Sequence, residues 1–248
     1  MIFDVYMDGH PKTHWMGHAL EEVGCIWLAG SPEEAAAMAP QAIARYLQWL
    51  HRHGEPGRSP HQAEGIAVSL KEVQEVPRLG ISGAAVGFFK PDEIPVTDSD
   101  IALAIRRLGY ARLDLLETVS LLPPAALDWQ PPGNKRSISQ NLLHIRNAQF
   151  FYLHRLMTRE ELDTLLPQPW PAGLFESLQW TLARVREILP ELPQTRRAGV
   201  FPAAEPRENW TARKMLRRFV EHELEHLQVV RQTADLWRKA LGWRLGGN

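Results

Sequence analysis

Cysteine is almost absent: Cys25 alone stands in 248 residues. That excludes an intrachain disulfide framework and any zinc site built on a cysteine pair. Long hydrophobic runs are missing too. No stretch of 18 apolar residues occurs, so no membrane-spanning helix is expected. The opening Met1-Ile2-Phe3-Asp4 has neither the basic nor the apolar region of a secretory signal, and the chain is expected to be cytoplasmic. No charge of one sign dominates. Lys and Arg number 28 against 29 Asp and Glu, a net charge of −1, so a surface built for phosphate backbones or anionic lipid is not expected. Internal repeats and low-complexity tracts are also lacking. What is present is ordinary for a globular protein: 44% apolar and 23% charged residues, enough for one large domain or two small ones.

Composition shifts at Lys90-Pro91-Asp92-Glu93-Ile94-Pro95-Val96-Thr97-Asp98-Ser99, acidic and proline-marked. This predicts a domain over 1–90, a linker over 91–98 and a second domain over 99–248. The first part has strand patterns at 2–6, 13–19, 24–29 and 65–70. Between the third and fourth, Ser31-Pro32-Glu33-Glu34 reads as a helix start, with a serine cap, proline at the first position and carboxylates in the first turn. The expected order is β-β-β-α-β, an α+β domain with its helix on one sheet face. The second part has four amphipathic stretches, at 99–121, 137–157, 172–189 and 211–240. Four helices of comparable length predict an all-α four-helix bundle.

The chemistry concentrates in Phe219-Val220-Glu221-His222-Glu223-Leu224-Glu225-His226-Leu227. Histidines at i and i+4 lie on adjacent turns, about 40° apart around the axis, so both imidazoles can reach one ion. At the helical period the pair flanks the apolar stripe, while Glu221 and Glu225 project away. The string also matches the His-Glu-x-x-His motif of zincin proteases. Those enzymes need a third ligand downstream, and after His226 the chain has neither Glu nor His. A third ligand must come from upstream. His144, in phase with Asn141, Ala148 and Phe151, is the candidate, with His154 as competitor on another side of its helix. Glu223 falls within the apolar stripe and has three readings: a catalytic general base, a group orienting a ligand, or a buried structural carboxylate. His10, His14 and His18 alternate along a strand and read as strand-face polar residues. Arg213, Lys214, Arg217 and Arg218 read as a solvated or acid-facing surface, with no nucleic acid implied.

The stretch Trp210-Thr211-Ala212-Arg213-Lys214-Met215-Leu216-Arg217-Arg218-Phe219-Val220-Glu221-His222-Glu223-Leu224-Glu225-His226 resembles the last helix of DinB-like proteins. Ser137-Ile138-Ser139-Gln140-Asn141-Leu142-Leu143-His144 resembles their second helix, and the two motifs occur in the family's order. The resemblance covers about residues 99 to 240. It implies a four-helix bundle with His144, His222 and His226 as a metal triad for zinc or nickel, and in some members a thiol-dependent transferase or isomerase. Asn134-Lys135-Arg136 departs from the aromatic residue common at that point. In the first part, Glu22-Val23-Gly24-Cys25 followed by Gly30-Ser31-Pro32-Glu33-Glu34-Ala35 resembles the HicB antitoxin pattern, with Val23 in place of proline. That implies a partner-binding domain without chemistry of its own.

Three histidines with a fourth position open is the pattern of a catalytic zinc site. The resulting expectation is one divalent transition metal and a small-molecule substrate, processed by a metal-dependent hydrolase or a transferase using a low-molecular-weight thiol. A metal-binding protein without catalysis, and an interaction protein acting through its HicB-like part, are the other readings. A protein partner of the first part and a homodimer stay open; neither a membrane nor a nucleic acid is expected.

Overall fold

The structure is a computed structural model; it describes residues 1–56, 65–76, 87–133, 135–203 and 208–241. Asn134, where the DinB-like pattern departs, lies outside the described residues. The chain forms two compact units, Met1–Thr97 with Pro193–Glu221, and Asp98–Leu192 with His222–Asn248.

In the first unit, β1 (Ile2–Gly9), β2 (Trp15–His18) and β3 (Ile26–Ala29) precede α1 (Pro32–Arg52) and β4 (Ala67–Glu75). This is the expected β-β-β-α-β order. The sheet order is β3-β2-β1-β4; the β1–β2 and β2–β3 pairs are antiparallel and β1–β4 is parallel, as the intervening helical crossover allows. α1 starts as its sequence implies: the Ser31 hydroxyl accepts from the Glu34 amide, with Pro32 just inside the helix. Ile43, Leu47 and Leu50 are fully buried along it.

β1 is buried on both faces. Phe3, Val5 and Met7 point one way, and Tyr6 and Asp8 the other, all of them buried. Tyr6 pairs in register with His18, so His18 shares the face of Asp8. Its ring lies between two carboxylates, with Nε2 2.5 Å from Asp8 Oδ1 and Nδ1 3.1 Å from Glu221 Oε1. Burial alone would lower the His18 pKa, but Glu221 and Asp8 outweigh it and leave the value raised. With a carboxylate on each ring nitrogen, both nitrogens must donate, which an imidazolium does.

The segment expected to be a linker is built into this unit. Lys90–Glu93 is a 3₁₀ turn. Buried Asp92 accepts from Arg217 Nε at 2.9 Å and Nη2 at 3.0 Å. The Val96 amide donates to the Arg197 carbonyl. The unit also includes α7 (Gln194–Ala198), the hairpin β5 (Phe201–Ala203) and β6 (Glu208–Trp210), and the first turns of α8 (Ala212–Ala240). The break between the units, Thr97 to Asp98, falls within the expected 91–98 segment, but the first unit also takes in a later stretch. Residues 193–221, assigned by sequence to the helical part, group with the sheet because their buried charges find partners there.

The second unit holds the bundle. α2 (Asp98–Ser120), α4 (Ile138–His154), α6 (Leu174–Ile188) and the rest of α8 are the four long helices, with short α3 (Pro124–Asp128) and α5 (Arg159–Leu165) between them. One core joins all four: Leu115 and Val119 from α2, Leu142 and Ile145 from α4, Leu178 from α6, and Leu227, Val230 and Trp237 from α8. Burying each such side chain is worth about 1.5–3 kcal/mol, which is how amphipathic stripes specify a bundle. Among the described residues no helix is long and apolar enough to cross a membrane.

Candidate metal centre

α4 and α8 present the histidines. α4 begins at Ser137 with a reciprocal cap: the Ser137 hydroxyl accepts from the Gln140 amide, and the Gln140 side chain accepts from the Ser137 amide. That fixes the first turn, and His144 follows at its seventh residue. On α8, His222 and His226 sit one turn apart. A ligand atom from each of His144, His222 and His226 lies within 4.8 Å of the others, a grouping that could hold a metal ion. His222 Nε2 is 3.1 Å from His144 Nε2. The three rings lie 4.3 to 4.9 Å apart, centroid to centroid. His154, the competing candidate, is exposed.

The donor set suits a transition metal. Zinc bonds imidazole nitrogen at about 2.0–2.1 Å, so two nitrogens of a tetrahedral site stand about 3.3 Å apart. The Nε2 pair is already close to that spacing. No carboxylate or thiolate belongs to the group, and all-imidazole coordination suits zinc, nickel, copper or iron better than magnesium or calcium. Protonation does not compete near neutral pH at His144. Burial lowers its pKa to about 4, aided by the positive charge of Arg136. His222 and His226 are buried and His144 is half-buried. The Tyr152 ring meets His222 edge-on at 5.7 Å.

Glu223 points elsewhere. Its carboxylate takes Arg112 in a two-pronged ion pair, Nε to Oε1 at 2.5 Å and Nη2 to Oε2 at 3.0 Å. Gln149 Nε2 adds a longer contact at 3.4 Å, and Arg112 Nη1 donates to the Leu178 carbonyl. Both charged groups are buried. Its carboxylate oxygens are thus taken up by Arg112 and Gln149.

Glu221 corrects a helical-phase reading. It was placed on the side away from the apolar stripe, yet it is buried and bonded to His18, Arg217 and Arg218. Arginine charge holds its carboxyl well below the ordinary value against the opposing effect of burial. The basic run is corrected likewise. Lys214, Arg217 and Arg218 are buried and paired with Glu208, Asp92 and Glu221, and Arg213 donates to the carbonyls of Ile94 and Pro95. Residues 214–223 are buried without a break, so that stretch of α8 has no solvated side for phase to identify. Of the three histidines read as strand-face residues, only His18 lies in a strand and is buried, with carboxylate partners; His10 and His14 fall in the turn between β1 and β2.

Asn141 is a residue that sequence reasoning noted only for its phase. Its Oδ1 lies 3.1 Å from His226 Nδ1. An amide one turn before His144 was the available signal.

The chain is similar in structure to YfiT from Bacillus subtilis, described as a probable metal-dependent hydrolase with an unusual four-helix bundle topology. The TM-score is 0.46 at 19% identity, covering 64% of this chain and 97% of that one. No curated protein matches the sequence. The profile of the DinB superfamily matches residues 107–230. Residues 1–106 lie outside that match, and the HicB-like pattern gains no support from it. The matched half contains His144, His222 and His226 in order, and the chain belongs to the DinB superfamily.

Proposed function

We propose that this chain is a metal-dependent enzyme acting on a small molecule, by hydrolysis or by transfer to a low-molecular-weight thiol. In this reading His144, His222 and His226 hold one divalent transition ion, zinc or nickel. The observation that carries it is the grouping of three imidazole ligand atoms within 4.8 Å, with no anionic side chain among them. An ion held by neutral ligands alone keeps its double charge and supplies Lewis acidity, polarising an acyl oxygen or lowering the pKa of a bound water or thiol.

The residues prepare that chemistry. Burial keeps His144 neutral and available to donate at neutral pH. His222 and His226 are buried and His144 is half-buried, the most open of the three. A structural zinc site is usually closed by four protein ligands, often cysteines, and buried Cys25 belongs to the other unit. For the α+β part the proposal is a protein-binding role, which co-purification of a stoichiometric partner would support.

Elemental analysis of untagged protein tests the metal. One zinc or nickel per chain is expected, and less than a tenth of that in the His222→Ala, His226→Ala double variant. Undiminished metal in that variant would remove the site. Catalysis is tested by titrating cobalt-substituted protein with small thiols. A sulfur-to-cobalt charge-transfer band supports the thiol reading, and no spectral response to any thiol leaves hydrolysis as the reaction class.

A further inference from the structure

We infer that Asn141 is a positioning residue: it fixes the proton of His226 on Nδ1 and so reserves Nε2 for the metal. This rests on the metal-site reading above. The amide orientation follows from its hydrogen-bond partners. One end of the Asn141 amide faces two main-chain oxygens, Ser137 O at 2.9 Å and Arg136 O at 3.4 Å. Carbonyl oxygens only accept, so the NH₂ must point at them. The other end, Oδ1, then faces His226 Nδ1 at 3.1 Å, and it too only accepts. His226 Nδ1 must donate. In a neutral imidazole that leaves the lone pair on Nε2.

His222 and His144 approach each other through the same ring atom, Nε2, 3.1 Å apart. With Nδ1 of His226 committed to Asn141, His226 presents Nε2 as its ligand atom. Asn141 is buried, so the hydrogen bond does not compete with water. The carbonyl of Ser137, which anchors the amide, belongs to the residue that caps α4. The cap therefore sets the direction of a ligand carried by a different helix. Partners of this kind orient metal-bound histidines, and losing one typically weakens metal binding about 10–100-fold.

The test uses the full chain and two variants that separate the jobs of the amide. Asn141→Leu removes both the donor to the carbonyls and the acceptor for His226. Asn141→Asp removes the donor and keeps an acceptor. Nitrogen NMR of metal-free wild type should show His226 with Nδ1 protonated, and Asn141→Leu should show a mixture of tautomers. Zinc affinity, measured by chelator competition, should fall about 10–100-fold in Asn141→Leu and stay within about threefold of wild type in Asn141→Asp. Zinc affinity unchanged in Asn141→Leu overturns the inference. So does an equal loss in both variants, because that would mark the amide as a brace for α4 only. A His226 that carries its proton on Nε2 in metal-free wild type overturns it as well. Wild type that binds no zinc at all would instead sink the metal-site reading, while the NMR result would still report the tautomer.

Discussion

At the scale of single residues, two buried carboxylates two residues apart on α8 serve different ends, and both are testable. Glu223 is held by Arg112 in a buried, two-pronged pair. Glu223→Gln leaves the Arg112 charge buried without its counter-ion, and breaking such a pair costs about 3–5 kcal/mol. Urea unfolding should show a loss of that size, with metal content per folded chain unchanged. Full stability together with abolished turnover would instead make Glu223 the general base that its sequence position also allowed. Glu221 and His18 give a pH signature. The folded pKa of His18 is raised above 6.5, so its contribution is complete below 6.5 and is lost as pH climbs through the raised value. Glu221 is lowered below 4.5, so its contribution is complete above 4.5 and is lost as pH falls through the depressed value. Stability should therefore peak between about pH 4.5 and 6.5. In His18→Gln the decline above pH 6.5 should flatten, although the variant is less stable throughout. An alkaline decline of undiminished slope would place the responsible group elsewhere.

At the scale of elements, the long periodic segments were legible and the short ones were not. α1, α2, α4, α6 and α8 begin and end within a few residues of their expected bounds, because caps, prolines and apolar stripes mark them locally. β4 runs to Glu75, five residues beyond its expected end, since Lys71, Glu72 and Gln74 hide the pattern of a strand with exposed side chains. α3, α5, α7 and the β5–β6 hairpin are too short to show a period. The convergence of His144, His222 and His226 was readable from i, i+4 spacing and from the motif order. Glu221 and the cations beside it were not, because periodicity assumes one solvated side. The cap of α4 offers a check at this scale. Ser137→Ala removes one half of the reciprocal cap and should cost about 1 kcal/mol in urea unfolding. Gly24 offers another, at a turn whose φ is +96°. A Cβ there would meet Val220 Cγ1 at 2.4 Å and the Tyr46 hydroxyl at 2.8 Å. Gly24→Ala should destabilise by more than about 1 kcal/mol, from backbone strain plus displacement of Val220. A neutral effect at either position would show that the local geometry relaxes at no cost.

At the scale of the whole molecule, α8 is one continuous helix whose first ten residues, 212–221, group with the sheet and whose remainder groups with the bundle. Sequence composition marked a boundary near 91–98 because acidic residues and prolines collect there, but it could not show that Asp92 faces inward to meet Arg217. The bonds joining the opening segment to residues 193–221 are many. Asp92 holds Arg217 and accepts through its carbonyl from the Thr211 hydroxyl at 2.6 Å. The Gly87 carbonyl accepts from Arg217 Nη2 at 2.7 Å, and His18 meets Glu221. A fragment of residues 98–248 keeps one side of each of these pairs and loses the other. Its Arg217, Arg218 and Glu221 can still bond to one another, yet Val220 loses the Gly24 turn beside it. The fragment should therefore retain the core of α2, α4, α6 and the last part of α8, while residues 212–221 fray. Hydrogen exchange checks this directly: amides of 138–154 and 174–188 should stay protected, and those of 212–221 should exchange at least tenfold faster than in the full chain. Because His222 follows Glu221 immediately, zinc affinity should fall with that protection. Equal protection of 212–221 in fragment and full chain would restore the bundle as an independent domain beginning at residue 99, with the opening 97 residues contributing nothing to the helix that carries two of the three histidines.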